Sequence, residues 1–174
     1  MAGDPAKATI WPDADVYVAP LGTAIPADVD TDFGAGWDLV GLLDGEQGFA
    51  QNRSEDVTDH YAWGGILVRT ARKNFKSTTA FTPLEDNDVV RDLVWPDSPA
   101  GQIIRPRPKR ILIAFELRED TTVKRLISAY QAEVSLNADI VDKEDDLTKY
   151  PLLATIFPDS DGVLFTEQKT EEGS

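Results

Sequence analysis

Residues 64–81 read GGILVRTARKNFKSTTAF, and this stretch decides the fold class. Ile66 and Val68 alternate with Leu67 and Arg69; Phe75, Ser77, Thr79 and Phe81 then fall on one face against Lys76, Thr78 and Ala80. A period of two belongs to a strand, whose successive side chains point to opposite faces. The stretch is expected to form one long strand or a bent pair, with Phe75 and Phe81 inward. Residues 110–118 alternate as regularly, with Ile111, Ile113, Phe115 and Leu117 inward and Leu112, Ala114, Glu116 and Arg118 opposite. A turn at 119–122 leads into residues 123–136, so a long hairpin is the economical reading, although Leu126, Tyr130 and Val134 also fit helical spacing.

Working outward, residues 15–19 read as a first strand, 20–36 as a loop and 37–43 as a second strand entered through Gly34 and Gly36. Residues 44–61 are mostly polar and fit either two exposed strand arms with a tip or one long loop; an ordered loop of that length is usually functional. Between 85 and 94 the period changes: Val89, Val90, Leu93 and Val94 take helical spacing, and Asp86, Asn87 and Asp88 can cap the N-terminus and favour its dipole. Pro96, Pro99, Pro106 and Pro108 end that helix and impose an extended connector. Residues 150–157 and 163–167 read as a last pair of strands across a turn at 158–162, and residues 169–174 as a fraying end. The expected organisation is an N-terminal arm (1–14), a single β domain (15–168) and a flexible tail (169–174). Its core candidates are Trp37, Phe75, Phe81, Ile113 and Phe115.

The 174 residues and 19.1 kDa suit one domain with a real core. Net charge is −14, from 17 basic and 31 acidic residues, which makes sequence-specific binding to phosphate backbones an unpromising reading. The imbalance is uneven: residues 1–60 hold 12 acids and two bases, 61–138 nine acids and 12 bases, and 139–174 ten acids and three bases. Acidic ends flanking a basic middle are either solvated faces or a guide to register when copies associate. With no cysteine, disulfides and thiolate chemistry drop out. No apolar run approaches the roughly 18 residues of a membrane helix, and residues 1–10 lack the regions of a signal peptide, so synthesis and folding in a cytoplasm are expected.

Chemistry is hard to find. His60 is the single histidine, it lies in a polar stretch, and no Gly-x-Ser-x-Gly elbow accompanies it. Phosphate-loop and dinucleotide glycine patterns are missing; Leu39 stands where the third glycine after Gly34 and Gly36 belongs. Asp142, Glu144 and Asp146 are spaced like the start of a calcium loop, but Leu147 occupies the position that demands glycine and Leu153 the closing position, so a solvated turn is favoured. Trp37, Trp63 and Trp95 read as core or interface residues rather than a sugar platform, and Trp11 as an anchor of the N-terminal arm on a neighbour. No catalytic residue, cofactor or metal is expected.

Several segments resemble the major tail tube proteins of long-tailed phages, particularly those of actinobacteria. They are Gly36-Trp37-Asp38-Leu39-Val40-Gly41, Tyr61-Ala62-Trp63-Gly64-Gly65 running into Val68-Arg69-Thr70, and Phe75-Lys76-Ser77-Thr78-Thr79-Ala80-Phe81. Leu84-Glu85-Asp86-Asn87, Val94-Trp95-Pro96, Lys124-Arg125-Leu126-Ile127 and the run from Tyr150-Pro151 to Pro158-Asp159 extend the likeness over most of residues 15–167. The resemblance implies a mainly β fold, a tail-tube-type sandwich or partial barrel with one flanking helix and a long projecting loop or hairpin. It also implies a non-enzymatic subunit forming hexameric rings that stack into a hollow conduit for DNA delivery. The implied partners are further copies, the tape measure, tail terminator and distal tail proteins, and double-stranded DNA in transit. The implied place is the virion tail, assembled in the host cytoplasm without a membrane. On this reading the inter-ring contacts fall to Gln51, Asn52, Arg53, Ser54, Glu55, Asp56 and His60. The competing readings are another ring-forming component such as a tail terminator, a hydrolase with paired carboxylates, and a calcium-dependent binding module.

Overall fold

The computed structural model describes residues 3–170, and within them the protein is mainly β, with nine strands, one α-helix and a 3-10 turn at Pro5–Lys7. The strands are β1 (Asp13–Pro20), β2 (Asp38–Leu39), β3 (Ala50–Ala62), β4 (Ile66–Phe81), β5 (Arg110–Glu119), β6 (Thr122–Ser128), β7 (Gln131–Leu136), β8 (Leu152–Phe157) and β9 (Phe165–Lys169); α1 is Asp88–Val94. All pairings are antiparallel, in the order β2-β1-β5-β7-β8-β4-β3, with β6 beside β5 and β9 beside β6. The hairpin read at 110–136 forms, and its second arm is strand rather than helix. That arm is interrupted at Ala129 and Tyr130: β6 pairs with residues 114–119 of β5, and β7 takes over at Arg110 and Ile111. Past the break β6 continues to β9 and β7 to β8, so the sheet forks where the Ala129 N–H donates to the Leu164 carbonyl at 3.0 Å.

One face of the sheet carries the main core. Val16, Ile113, Phe115, Leu152, Ala154, Ile156 and Phe81 meet Val90, Leu93 and Val94 of α1 there. Phe115 is its centre, edge-on to Phe49, Phe81 and Phe165 at centroid distances of 5.1, 5.7 and 6.3 Å. The helix is pinned at its start by Asn87, whose Oδ1 accepts from Val90 N (2.9 Å) while Nδ2 donates to the Val40 carbonyl (2.9 Å). The cap is one of the three residues the sequence offered, and Glu85, which precedes it, is engaged elsewhere: its Oε1 accepts from Leu42 N at 2.8 Å. The opposite face of β5 is buried as well. Leu112 and Ala114 pack with Trp37, Ala19 and Ile127 beneath the 21–37 loop, and Trp37 Nε1 donates to the Ala24 carbonyl at 3.0 Å.

Trp37, Phe81, Ile113 and Phe115 are buried, as read from the sequence. Phe75 is not: it shares the face of Phe81 but is 49% exposed, since β8 accompanies β4 only along Ser77–Phe81 and no body strand lies beyond. The strand expected at 37–43 shrinks to Asp38–Leu39, because Gly41 adopts φ +104° and a Cβ there would lie 2.7 Å from the Glu85 carboxylate. The two closing strands do not pair with each other. The 158–162 turn forms, with Gly162 N donating to the Asp159 carbonyl (3.1 Å), but it sends β8 to β7 and β4 and β9 to β6. The N-terminal arm gives up Asp13 and Ala14 to β1. Lys169 belongs to β9 and Thr170 N donates to the Val123 carbonyl (2.9 Å), so the tail begins no earlier than residue 171; residues 1–2 and 171–174 lie outside the described residues.

Candidate interaction surface

The polar stretch at 44–61 proves to be one arm of a long hairpin. After a turn at 45–47, β3 runs antiparallel to β4, and every residue from 50 to 70 is exposed. From Ile66 to Lys76, β4 has β3 as its only strand neighbour among the described residues, so this part is a two-stranded ribbon standing clear of the body. Gly64 and Gly65, at φ +85° and +77°, make the tip possible, and Gly65 N closes it onto the Ala62 carbonyl at 3.2 Å.

Two irregularities shape the ribbon. Ser54 pairs with Lys76 and Asp56 with Lys73, so Glu55 alone faces Asn74 and Phe75; Asn74 takes φ +56° and its Nδ2 donates to Asp56 Oδ2 at 2.7 Å. Nearer the tip, Val68 is extra between the pairs His60–Arg69 and Tyr61–Leu67. Such bulges increase local twist and unsettle a flat edge. Cross-strand polar contacts hold the middle: Arg72 Nη1 to Glu55 Oε1 at 2.6 Å and Thr70 Oγ1 to Asp59 Oδ1 at 2.8 Å.

All seven proposed stacking residues therefore lie on β3. Gln51, Asn52 and Arg53 stand at the root opposite Thr79, Thr78 and Ser77, and Ser54, Glu55, Asp56 and His60 further out. Glu55 and Asp56 are engaged within the arm, and the His60 imidazole has no hydrogen-bond partner among the described residues. The sequence reading missed the apolar end of the arm, where Tyr61, Trp63, Ile66, Leu67 and Val68 are all exposed, Trp63 completely. Its signal was available: aromatic and β-branched residues on both sides of Gly64-Gly65 are a hairpin signature. Of the two places open to Trp63, core or interface, the structure excludes the core of the subunit: the residue sits at the turn, fully exposed.

Charge is organised differently in the body. Arg125 and Glu116, both buried, pair through Nε and Oε2 at 2.5 Å, and Arg125 Nη1 donates to the carbonyls of Asp28 (3.1 Å) and Thr31 (2.7 Å) while its guanidinium lies 4.7 Å from the Phe33 ring centroid. This fastens the 21–37 loop to β5 and β6. Arg118 contacts Glu116, Asp13 (2.7 Å) and Asp15 (2.6 Å); partial burial opposes its charge, but those carboxylates outweigh it and hold its pKa above the ordinary value. Lys149 Nζ is 3.0 Å from Asp44 Oδ2, and this close ion pair holds the buried Asp44 carboxyl below the usual carboxylate range. At 142–148 the acids serve local turns, with Thr148 Oγ1 donating to Asp142 and Leu147 N to Asp146, and no group of three or more His, Cys, Asp or Glu among the described residues is arranged to hold a metal ion. No helix among them is long and apolar enough to cross a membrane.

The chain matches no protein-family model and no curated protein.

Proposed function

We propose that this protein is a structural subunit that polymerises with copies of itself, and specifically the tube subunit of a long-tailed phage, six to a ring, with rings stacked into a conduit for DNA. The observation that carries this reading is the arm. A two-stranded ribbon is marginal alone in water, and here both its outer edges and an apolar tip are open to solvent. A contiguous exposed apolar surface rimmed by polar groups marks an interaction site. Association with further copies covers all three at once. Mainly β architecture with a single α-helix and a projecting hairpin is what the resemblance to tail tube proteins implies, and an acidic wall would release few counterions from passing DNA. Assembly would occur in a bacterial cytoplasm and end in the virion tail, with tape measure, terminator and distal tail proteins completing the structure.

Arg53 and Ser77 are ladder partners at the border of the body, so a short glycine-serine turn joining them, in place of residues 54–76, removes the arm without opening the sheet. The variant should keep its strand signal by circular dichroism, with a melting temperature within about 2 °C of wild type, since exposed changes usually stay within about 0.5 kcal/mol. Electron microscopy should show tubes for wild type and none for the variant. A wild type that sediments as a monomer at every concentration overturns the reading, as do normal tubes from the armless variant; single rings from wild type favour a terminator-like component.

A further inference from the structure

We infer that the arm's apolar tip docks, in a second copy of this chain, into the groove at the root of that copy's own arm; this rests on the assembly reading above. The groove is lined by Trp11 and Pro12 of the N-terminal segment, Leu39 of β2 and Leu42 just after it, Phe49 at the entry to β3, and Leu117 of β5. Leu42 is 68% exposed and Leu39 is also exposed, leaving an apolar floor open to solvent. Along one wall runs β1, whose outer edge from Asp13 to Asp15 has no strand beside it among the described residues, since β2 pairs only with Tyr17 and Val18. An apolar floor beside a free strand edge suits an extended segment, with main-chain pairing for affinity and side-chain pockets for choice.

Charge selects the occupant. Residues 50–76 carry five bases and three acids, net +2 in a chain of net −14, so the rest of the molecule stands at −16. Arg69, Lys73 and Lys76 pair along the ladder with His60, Asp56 and Ser54, which are even-numbered positions of β3, and they therefore share one face of the arm. None of the three has an ion-pair partner among the described residues. Of the acids lining the groove, Asp13 and Asp15 share Arg118 and the buried Asp44 pairs with Lys149, so it is the net −16 of the body as a whole, not four free carboxylates, that draws the arm. A cationic, apolar-tipped ribbon thus meets an apolar-floored groove in a strongly acidic body.

Reach excludes the chain's own groove. Gln51 lines the groove and Trp63 lies twelve residues further along an extended strand, about 40 Å away at 3.3–3.4 Å per residue. Tip-to-root contact is heterologous, using different surfaces of the two copies, which gives a ring where the rotation closes and an open filament where it does not. The axial repeat of the assembly should accordingly not exceed about 40 Å, the length of the arm.

A chain without cysteine allows a direct test. Leu42→Cys and Leu67→Cys are made in separate preparations, assembled mixed or alone, and treated with a bis-maleimide. The mixture should give a cross-linked dimer well above either preparation by itself. In parallel, Leu42→Lys places a cation before the cationic arm and should raise the concentration needed for assembly about tenfold or more, the effect of losing one central contact, with an unchanged circular dichroism spectrum. If wild type assembles but the mixture cross-links no more than its components, or Leu42→Lys assembles like wild type, the groove is not the acceptor while the assembly reading stands. A wild type that remains monomeric overturns both.

Discussion

Phe75 and Phe81 lie six residues apart on one face of β4, and truncating each to alanine separates what alternation alone cannot. Phe81 is fully buried and edge-on to Phe115 at 5.7 Å, so alanine there removes one of three rings around the central phenylalanine and leaves a void among Val90, Leu152 and Ala154. Phenylalanine-to-alanine changes in cores cost about 3–5 kcal/mol. For a domain of this size 1 kcal/mol moves the melting temperature by about 2–4 °C, which places the Phe81→Ala shift at about 6–20 °C. Phe75 is half exposed on a ribbon that no body strand touches, so its contribution is on the scale of a cross-strand pair, at most about 1 kcal/mol, and its loss frays the ribbon locally. Its melting temperature should fall by about 4 °C at most. Thermal denaturation by circular dichroism at concentrations where both variants are monomeric gives the comparison. Equal shifts would mean that the arm folds back onto the core, and that its description as a free ribbon is wrong.

Arg125→Met should lower the melting temperature by about 6–12 °C, from the low end of the roughly 3–5 kcal/mol cost of breaking a buried ion pair, since Glu116 keeps Arg118. The near-UV signal of Trp37 should weaken with it as the 21–37 loop comes free. Asp44, whose carboxyl is held below the usual range by Lys149, contributes stability that is fully present above the ordinary carboxylate value of about 4 and is lost as pH falls through its lowered one. Urea midpoints of wild type and Asp44→Asn should therefore differ by a constant amount between about pH 5 and 7 and converge in stronger acid; a gap that widens on acidification would contradict the sign.

Period and turn chemistry made most of the sheet legible. Residues 66–81 and 110–119 are strands because alternation was sustained over many residues, and α1 was readable because the period changed beside capping residues. What failed was anything fixed by distant partners. Nothing local says that Glu85, ahead of the helix cap, holds Leu42, or that Gly41 cuts the second strand short. Adjacent strands were expected to pair across the 158–162 turn, yet the fork at Ala129 separates them, a choice made by β5 through its contacts with both β6 and β7. The arm was half legible. Polarity at 44–61 marked it as outside the core, but residues 61–68 carry the composition of a core strand, and alternation alone cannot distinguish apolar side chains that face a core from those left exposed.

The sign pattern along the chain, acidic ends about a basic middle, is only partly a pattern in space. Arg118 and Arg125 of the middle close on Asp13, Asp15 and Glu116, while Lys109 closes on Asp92 at 2.7 Å, so these cations are consumed inside the subunit. Those on the arm without ion pairs among the described residues, Arg69, Lys73 and Lys76, stand away from a body that is strongly acidic. The resulting asymmetry is arm against body. Arm-to-arm and body-to-body contacts both bring like charges together, whereas arm-to-body contact does not. Discrimination against wrong pairings needs such repulsion as much as it needs a good fit in the right one. Charge therefore disfavours a pair joined arm to arm or body to body and leaves arm-to-body contact, the one proposed above, as the pairing that a few lysines and arginines on an exposed ribbon would select.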